Sequence, residues 1–367
     1  DNTAVISNNT YTGNKESVQL RNCSVDLTEN VFKNNQLAIS IAGSNNLLKN
    51  NRLENNTKNL SFPEFATQFH GYLHTVDVIH NDVDMSNTID GRPIIYWINQ
   101  HNKIVPPDAS LVLLMSCTNI TAQDLYLTGN EQGLVVIDTQ NSTINGNTII
   151  TNTLGVGIFK SYNNIFSENY IAKNMVGMRI DNSENNLIVN NSFIENKGTS
   201  NGFAIIFTGN QKDNTIIRND FIDSRVIPML QISINKFDGP GWGNIWNDST
   251  SGNYWSDYQT RYQNSSEIDN TGIGNTPFVI NENNIDYKPI LQPLNQATPL
   301  PSPSPTIPAS PTISPQITPS PSLSAPTPSN TTTQPEPSIT TIITIILATL
   351  SIVIAGAFLL RKKYTKL

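Results

Sequence analysis

Soft metal ligands are scarce in this chain, with two Cys and four His among 367 residues, so most of its length cannot assemble a thiolate or imidazole cluster. The formal charge is -7 and no long basic run occurs before the last few residues, which argues against a nucleic-acid backbone as partner. The first ten residues hold no initiating Met, no cationic start and no apolar signal core. They fit a processed form or a fragment that begins inside a fold, and upstream residues are expected to be missing. What abounds is Asn, up to about residue 290, and then Pro, Ser and Thr from Thr298 to Ser338. That shift marks a domain boundary.

The Asn residues keep time. Asn147, Asn169 and Asn191 recur at 22 residues, each followed two positions later by Ile149, Ile171 or Phe193 and five later by Asn152, Asn174 or Asn196. Gly155 and Gly177 share the phase, and an insertion around Lys197–Gly202 delays the next coil to Asn219 and Phe221. Near the start the interval is 21: Asn9, Asn30 and Asn51, then Tyr11, Phe32 and Leu53, then Asn14, Asn35 and Asn56. Such periods indicate repeats stabilised by stacking on their neighbours. Within each unit the apolar pairs are two residues apart and interrupted by Asn and Gly, which is strand periodicity broken by turns. Leucine-rich repeats share the period but need L-x-x-L-x-L before their Asn, and that pattern is absent.

These features predict an all-β fold, a right-handed parallel β-helix of about 21–22 residues per coil resembling pectate lyases, with coils roughly 4.8 Å apart. Asn tolerates left-handed backbone at turns, and stacked amides can bond from coil to coil. The coils are expected over 1–59 and 110–236. Residues 60–109 read as an irregular insert with extra strands, whose Ile89–Gln100 stretch begins with an Asp-Gly turn. Cys23 falls in the phase of Ser44, and Cys117 in that of Thr139, Ser161 and Ser183. Both are therefore expected in one turn column, at least two coils apart and too distant for a disulfide.

The coil Ser161-Tyr-Asn-Asn-Ile-Phe-Ser-Glu-Asn169, the segment Ser86-Asn-Thr-Ile-Asp-Gly-Arg-Pro-Ile-Ile-Tyr-Trp97, and the closing Gly252-Asn-Tyr-Trp-Ser-Asp-Tyr258 with Gly272-Ile-Gly-Asn-Thr-Pro277 resemble the NosD-like family. The resemblance covers nearly all of residues 1–292. It implies a β-helix of the carbohydrate-binding and sugar-hydrolase (CASH) group, common in surface proteins of methanogenic archaea. It also implies kinship with an accessory protein for the copper centres of nitrous-oxide reductase. The family's closing motif, G-I-G-D-x-P-Y, departs here at Asn275 and Phe278.

Candidate sites follow. Residues 237–292 concentrate aromatics, and Trp242, Trp246, Tyr254, Trp255, Asp257 and Tyr258 are expected either to cap the open β-helix end or to form a glycan platform. His70, His74, His80, Asp82 and Asp84 are the candidate ligands for copper or calcium; otherwise no cofactor is expected. Paired carboxylates for polysaccharide chemistry are sparse. Asp181, Glu184 and Glu195 with Arg179 come nearest, and they read as a solvated surface. Asn-x-Ser/Thr acceptors stand at Asn8, Asn22, Asn55, Asn59, Asn119, Asn141, Asn190, Asn247, Asn264 and Asn330.

Residues 293–338 read as a Pro/Ser/Thr-rich spacer, 339–360 as one transmembrane helix and 361–367 as a basic cytoplasmic tail. The sequence therefore predicts a single-pass protein of the cell membrane with an extracellular, non-catalytic β-helix. Its role would be structural, or the binding of envelope polysaccharide or a surface-layer protein, with no nucleic-acid partner. The alternatives are a polysaccharide lyase, hydrolase or epimerase, and a copper-binding accessory protein.

Overall fold

Apolar residues alternate with polar ones over only three to six positions before an Asn, Asp or Gly intervenes. The chain therefore forms short strands that turn and pair, in parallel, with their equivalents one repeat later. A computed structural model describes residues 3–65, 79–197, 203–209, 212–228, 243–294 and 299–303. Turn residues with left-handed backbone include Asn8, Asn34, Asn55, Asn163, Asn185 and Asn190, with φ between 52° and 58°. Among the described strands only two pairs are antiparallel, Thr88–Ile89 with Arg92–Ile98 and Phe278–Asn281 with Asn284–Asp286.

The first of these pairs joins two stacks of coils. Asp90 and Gly91 both have positive φ, 48° and 78°, the requirement of a two-residue hairpin turn. Before the turn, strands such as Thr10–Thr12, Val31–Lys33 and Arg52–Glu54 build the first stack. After it, Arg92–Ile98, Leu111–Met115, Gln132–Ile137, Leu154–Phe159, Val176–Asp181 and Phe203–Thr208 carry the same sheet onward, eleven strands in all. Ile89, Ile94 and Tyr96 pack with the interior of the first stack, whereas Ile95, Val112 and Leu114 belong to the interior of the second. One sheet thus serves two apolar interiors, one on each side. This explains why Leu111–Met115 and Gln132–Ile137 are buried at every position. Lys58, its ammonium pKa lowered by burial, ties the stacks by donating from Nζ to the carbonyls of Asn130 (3.1 Å) and Thr151 (3.4 Å).

The second stack has two further sheets of six strands each. One runs from His101–Ile104 through Thr143–Asn145 to Thr215–Ile217, and the other from Tyr126–Thr128 through Thr148–Ile150 to Tyr254–Trp255. The Asn files are continuous. The amide of Asn147 bonds Asn169 Oδ1, that of Asn169 bonds Asn191, then Asn219, then Asn253, each at 3.0 Å. Parallel files run through Asn152, Asn174 and Asn196 and, in the first stack, through Asn9, Asn30, Asn51 and Asn87. A further file, Ser142, Asn164, Asn186, Asn214, Asn244 and Asn284, was not singled out from the sequence.

Cys23 and Cys117 occupy the same phase of the coil but in different stacks, so they share no column. Both are free thiols.

Among the described residues no helix is long and apolar enough to cross a membrane, and the α-helix present there is four residues, Tyr258–Arg261. That finding corrects the expected single transmembrane helix. It also removes the support for the membrane as a partner, for a single-pass topology with a cytoplasmic C-terminus, and for a membrane-anchored cell-surface role. The segment on which these expectations were placed, 339–360, lies outside the described residues. The physical reason within the described chain is that apolar side chains alternate in strands of a few residues instead of running continuously.

Candidate functional site

Three constellations were expected from the sequence, and the fold treats them differently. Of the metal candidates, His70 and His74 lie outside the described residues. His80 is exposed beside the first stack, where its N–H bonds Ser44 Oγ at 3.1 Å. Asp82 faces Lys49 at 3.8 Å, and Asp84 accepts the N–H of Ser86 at 3.0 Å. His101, exposed, begins a sheet of the second stack. No group of three His, Cys, Asp or Glu capable of holding a metal occurs among the described residues. Cys117 is buried with its Sγ on the carbonyls of Met115 (3.3 Å) and Trp97 (3.6 Å), and burial pushes its thiol pKa up, away from the thiolate a soft metal needs. Met115 and Met178 lie in the two interiors. The described residues therefore do not fit a copper ion.

The carboxylates nearest to an enzymatic set are split. Glu184 and Glu195 are exposed at turns, Glu184 at 3.7 Å from Lys212. Arg179 and Asp181 are not solvated as the sequence suggested. They face outward from the eleven-stranded sheet, side chains 14% and 7% exposed, and pair at 2.7 Å. Thr208 Oγ1 donates to the same Asp181 oxygen at 2.6 Å, and the guanidinium lies 5.2 Å from the Phe159 ring centre. Gly157 makes room for that ring, because a Cβ there would meet Phe159 Cε2 at 2.5 Å. The Asp181 carboxylate is thus engaged by the guanidinium of Arg179 and the hydroxyl of Thr208. Thr208 was missed in the sequence; its signal is the register of Phe203–Thr208 on Val176–Asp181, which the insertion before it obscures.

The aromatic group closes the second stack. Trp246, Trp255 and Tyr258 are buried, Tyr254 is half-buried, Asp257 is exposed, and Trp242 lies outside the described residues. Trp255 continues the interior ring column, 4.5 Å from Phe221 and 4.1 Å from Phe278 between ring centres. Trp246 Nε1 donates to Asn284 Oδ1 and Trp255 Nε1 to Asp286 Oδ2, both at 2.9 Å. Asp286 is buried beneath this lid, and burial pushes its carboxyl pKa up to about 6 against the donors that face it, Trp255 Nε1 and the N–H groups of Asn253 and Lys288. These ring faces meet protein, so they are not presented as a platform for a sugar. Outside the lid, Asp248 accepts from Thr250 Oγ1 and from the N–H groups of Ser251 and Thr250, which hold its carboxyl well below the usual range.

Of the glycosylation candidates, Asn8, Asn22, Asn55, Asn119, Asn141 and Asn190 sit at left-handed turns, Asn247 is half-buried and Asn264 exposed. Asn59 is buried with its Nδ2 on Gly129 O at 3.1 Å and has no room for a glycan; Asn330 lies outside the described residues.

The family described as periplasmic copper-binding protein (NosD) matches residues 73–260, just over half of the chain, spanning the second stack and the first part of its lid. No curated protein matches. Two solved structures resemble the chain distantly. The Azotobacter vinelandii mannuronan C-5 epimerase AlgE6 A-module has 12% identity over 58% of this chain and 77% of that one, with a TM-score of 0.27. The A-module of AlgE4 from the same organism has 14% identity over 61% and 87%, with a TM-score of 0.21.

Proposed function

This chain belongs to the NosD family of periplasmic copper-binding proteins, and from that premise we propose that it is a non-catalytic accessory protein of copper handling outside the cytoplasm. Its β-helix contributes a long, rigid recognition surface and does not supply copper ligands from its coils. The observation that carries this reading is how the soft donors of the matched region are placed: Cys117, Met115 and Met178 are buried, and the exposed His80 and His101 belong to no group of three His, Cys, Asp or Glu among the described residues, while Met85 is exposed as well. Of the expected carboxylate set, Asp181 is engaged in a nearly buried ion pair with Arg179, while Glu184 and Glu195 are exposed at turns.

Competitive copper titration of the full chain against a weak chelator tests this reading, run side by side with the His80→Ala, His101→Ala, Cys117→Ser triple variant. The expected result is equal copper retention in both proteins. One copper per chain in the wild type, lost in the triple variant, would refute the assignment. Incubation with uronate-containing and neutral glycans is the companion assay, and new reducing ends or unsaturated products would remove the word non-catalytic.

A further inference from the structure

The Asn files of the first stack have a direction. The N–H and Nδ2 of one coil's Asn donate to Oδ1 of the Asn one coil later, from Asn30 to Asn51 at 3.1 Å each and from Asn35 to Asn56 at 2.8 and 2.9 Å. Each coil therefore accepts from the coil before it. Asn9 and Asn14, in the first coil, donate onward to Asn30 and Asn35 in the same way. Both residues are exposed, and neither Oδ1 accepts a hydrogen bond among the described residues. Two acceptors built into the repeat are left open, five residues apart.

The backbone of the same coil is open on the same side. Val31, Gln36 and Leu37 donate their N–H groups to the carbonyls of Asn9, Asn14 and Lys15 at 2.8, 2.9 and 3.1 Å. Register makes Thr10, Lys15 and Glu16 their equivalents in the first coil, so these three N–H groups point to the side where no described strand lies. Ala4–Ser7, Thr10–Thr12 and Glu16–Arg21 are accordingly the end strands of three sheets at once. Between those edges the interior is uncovered: the Tyr11 ring, stacked 4.9 Å from Phe32 and 6° from parallel, ends its column half-buried beside half-buried Ile6. The other ends differ. The first stack passes into the second through the Asp90-Gly91 hairpin, and the second stack ends under its aromatic lid. A second copy thus offers no free coil end for head-to-tail stacking, and two first coils face to face would set Asn acceptors against Asn acceptors.

We propose that the first coil is a docking edge for an extended segment of a partner protein, which adds as a further parallel coil and sets two backbone N–H groups, five residues apart, on Asn9 Oδ1 and Asn14 Oδ1. Main-chain bonds along an open edge supply the affinity, and the Asn pair fixes the register. An apolar side chain two residues after the first donor meets the Tyr11 ring, as Phe32 meets it from below. The partner's pattern is therefore that of the chain's own coils: a turn residue, an apolar residue two positions on and a second turn residue five positions on. This goes beyond the accessory reading and fails separately from it, because strand capture is measured without copper and copper retention without a peptide.

The test uses the full chain and a labelled synthetic peptide of residues 25–42, which carries both donors, with benzoylphenylalanine in place of its Phe32. Saturable binding is expected, with photo-cross-links confined to residues 3–21. The Asn9→Ala, Asn14→Ala variant removes two exposed acceptors and should bind the peptide about ten-fold more weakly, with an unchanged far-UV circular dichroism spectrum. A peptide carrying Asn30→Pro and Asn35→Pro lacks both N–H donors and should not bind. No binding to the wild type, cross-links outside residues 3–21, or equal affinity for wild type and variant would overturn the proposal. A dimer of the chain in sedimentation that the peptide dissolves would give the edge to a second copy and overturn the partner claim.

Discussion

Asn169 spends its whole amide on its neighbours. Its Oδ1 accepts the N–H of Asn147 at 3.0 Å and Asn147 Nδ2 at 2.8 Å, while its Nδ2 donates to Ile144 O and Asn191 Oδ1, both at 2.9 Å. Asn169→Ala leaves a buried N–H and a buried carbonyl unpaired, and is expected to cost about 2–5 kcal/mol in urea unfolding. Gly155 shows the opposite economy, since a Cβ there would meet Gly177 O at 2.5 Å, so Gly155→Ala is expected to cost about 1–3 kcal/mol by the same measurement. Asp286 sets a pH dependence. Its carboxyl is raised to about 6 by burial, above its ordinary value of 3.8, so the folded state holds a proton that the unfolded state has released. The associated stability is fully present below the unfolded value and is lost as pH rises through about 6, roughly 3 kcal/mol in total. Urea midpoints between pH 4 and 7 should fall with rising pH in the wild type, and that slope should vanish in Asp286→Asn.

At the scale of elements, the repeat was legible because stacking forces one residue type to recur in one file. Asn147, Asn169 and Asn191 stand one above another, as do Asn9, Asn30 and Asn51. The file through Asn164, Asn186 and Asn214 was harder to see, because it starts with Ser142 and ends with members displaced by the insertion and the lid. The Asp90-Gly91 turn was legible from its residue types, but not its consequence. A two-residue turn fixes a hairpin, and only the packing of Ile94 and Ile95 into opposite interiors reveals that beyond it the interior lies on the other face of the sheet. Burial of Arg179 and Asp181 was invisible for a related reason: it depends on what covers the outer face of the sheet, not on periodicity. The lid's aromatics served closure through ring stacking. Trp255→Ala, which opens the column between Phe221 and Phe278, is expected to cost about 3–5 kcal/mol in thermal or urea unfolding.

For the molecule as a whole, composition sets an Asn-rich body apart from a Pro-rich region, but the expectation of a membrane span found no long apolar helix among the described residues. The described body buries Cys117, Met115 and Met178 and gathers no metal-holding group of three His, Cys, Asp or Glu, and it offers long outer faces, which is why a recognition role is favoured over ion holding. All of this depends on coil lying over coil at a constant step. The most direct test replaces His101 and Lys212 with spin-labelled cysteines in a chain whose Cys23 and Cys117 are serine. Both positions are exposed and occupy one file, which runs through Thr118, Gln140, Tyr162 and Glu184. Five coil steps place the labelled backbones about 24 Å apart. A single distance distribution centred near that value is the predicted result; a centre beyond about 35 Å, or several separated populations, would contradict the account.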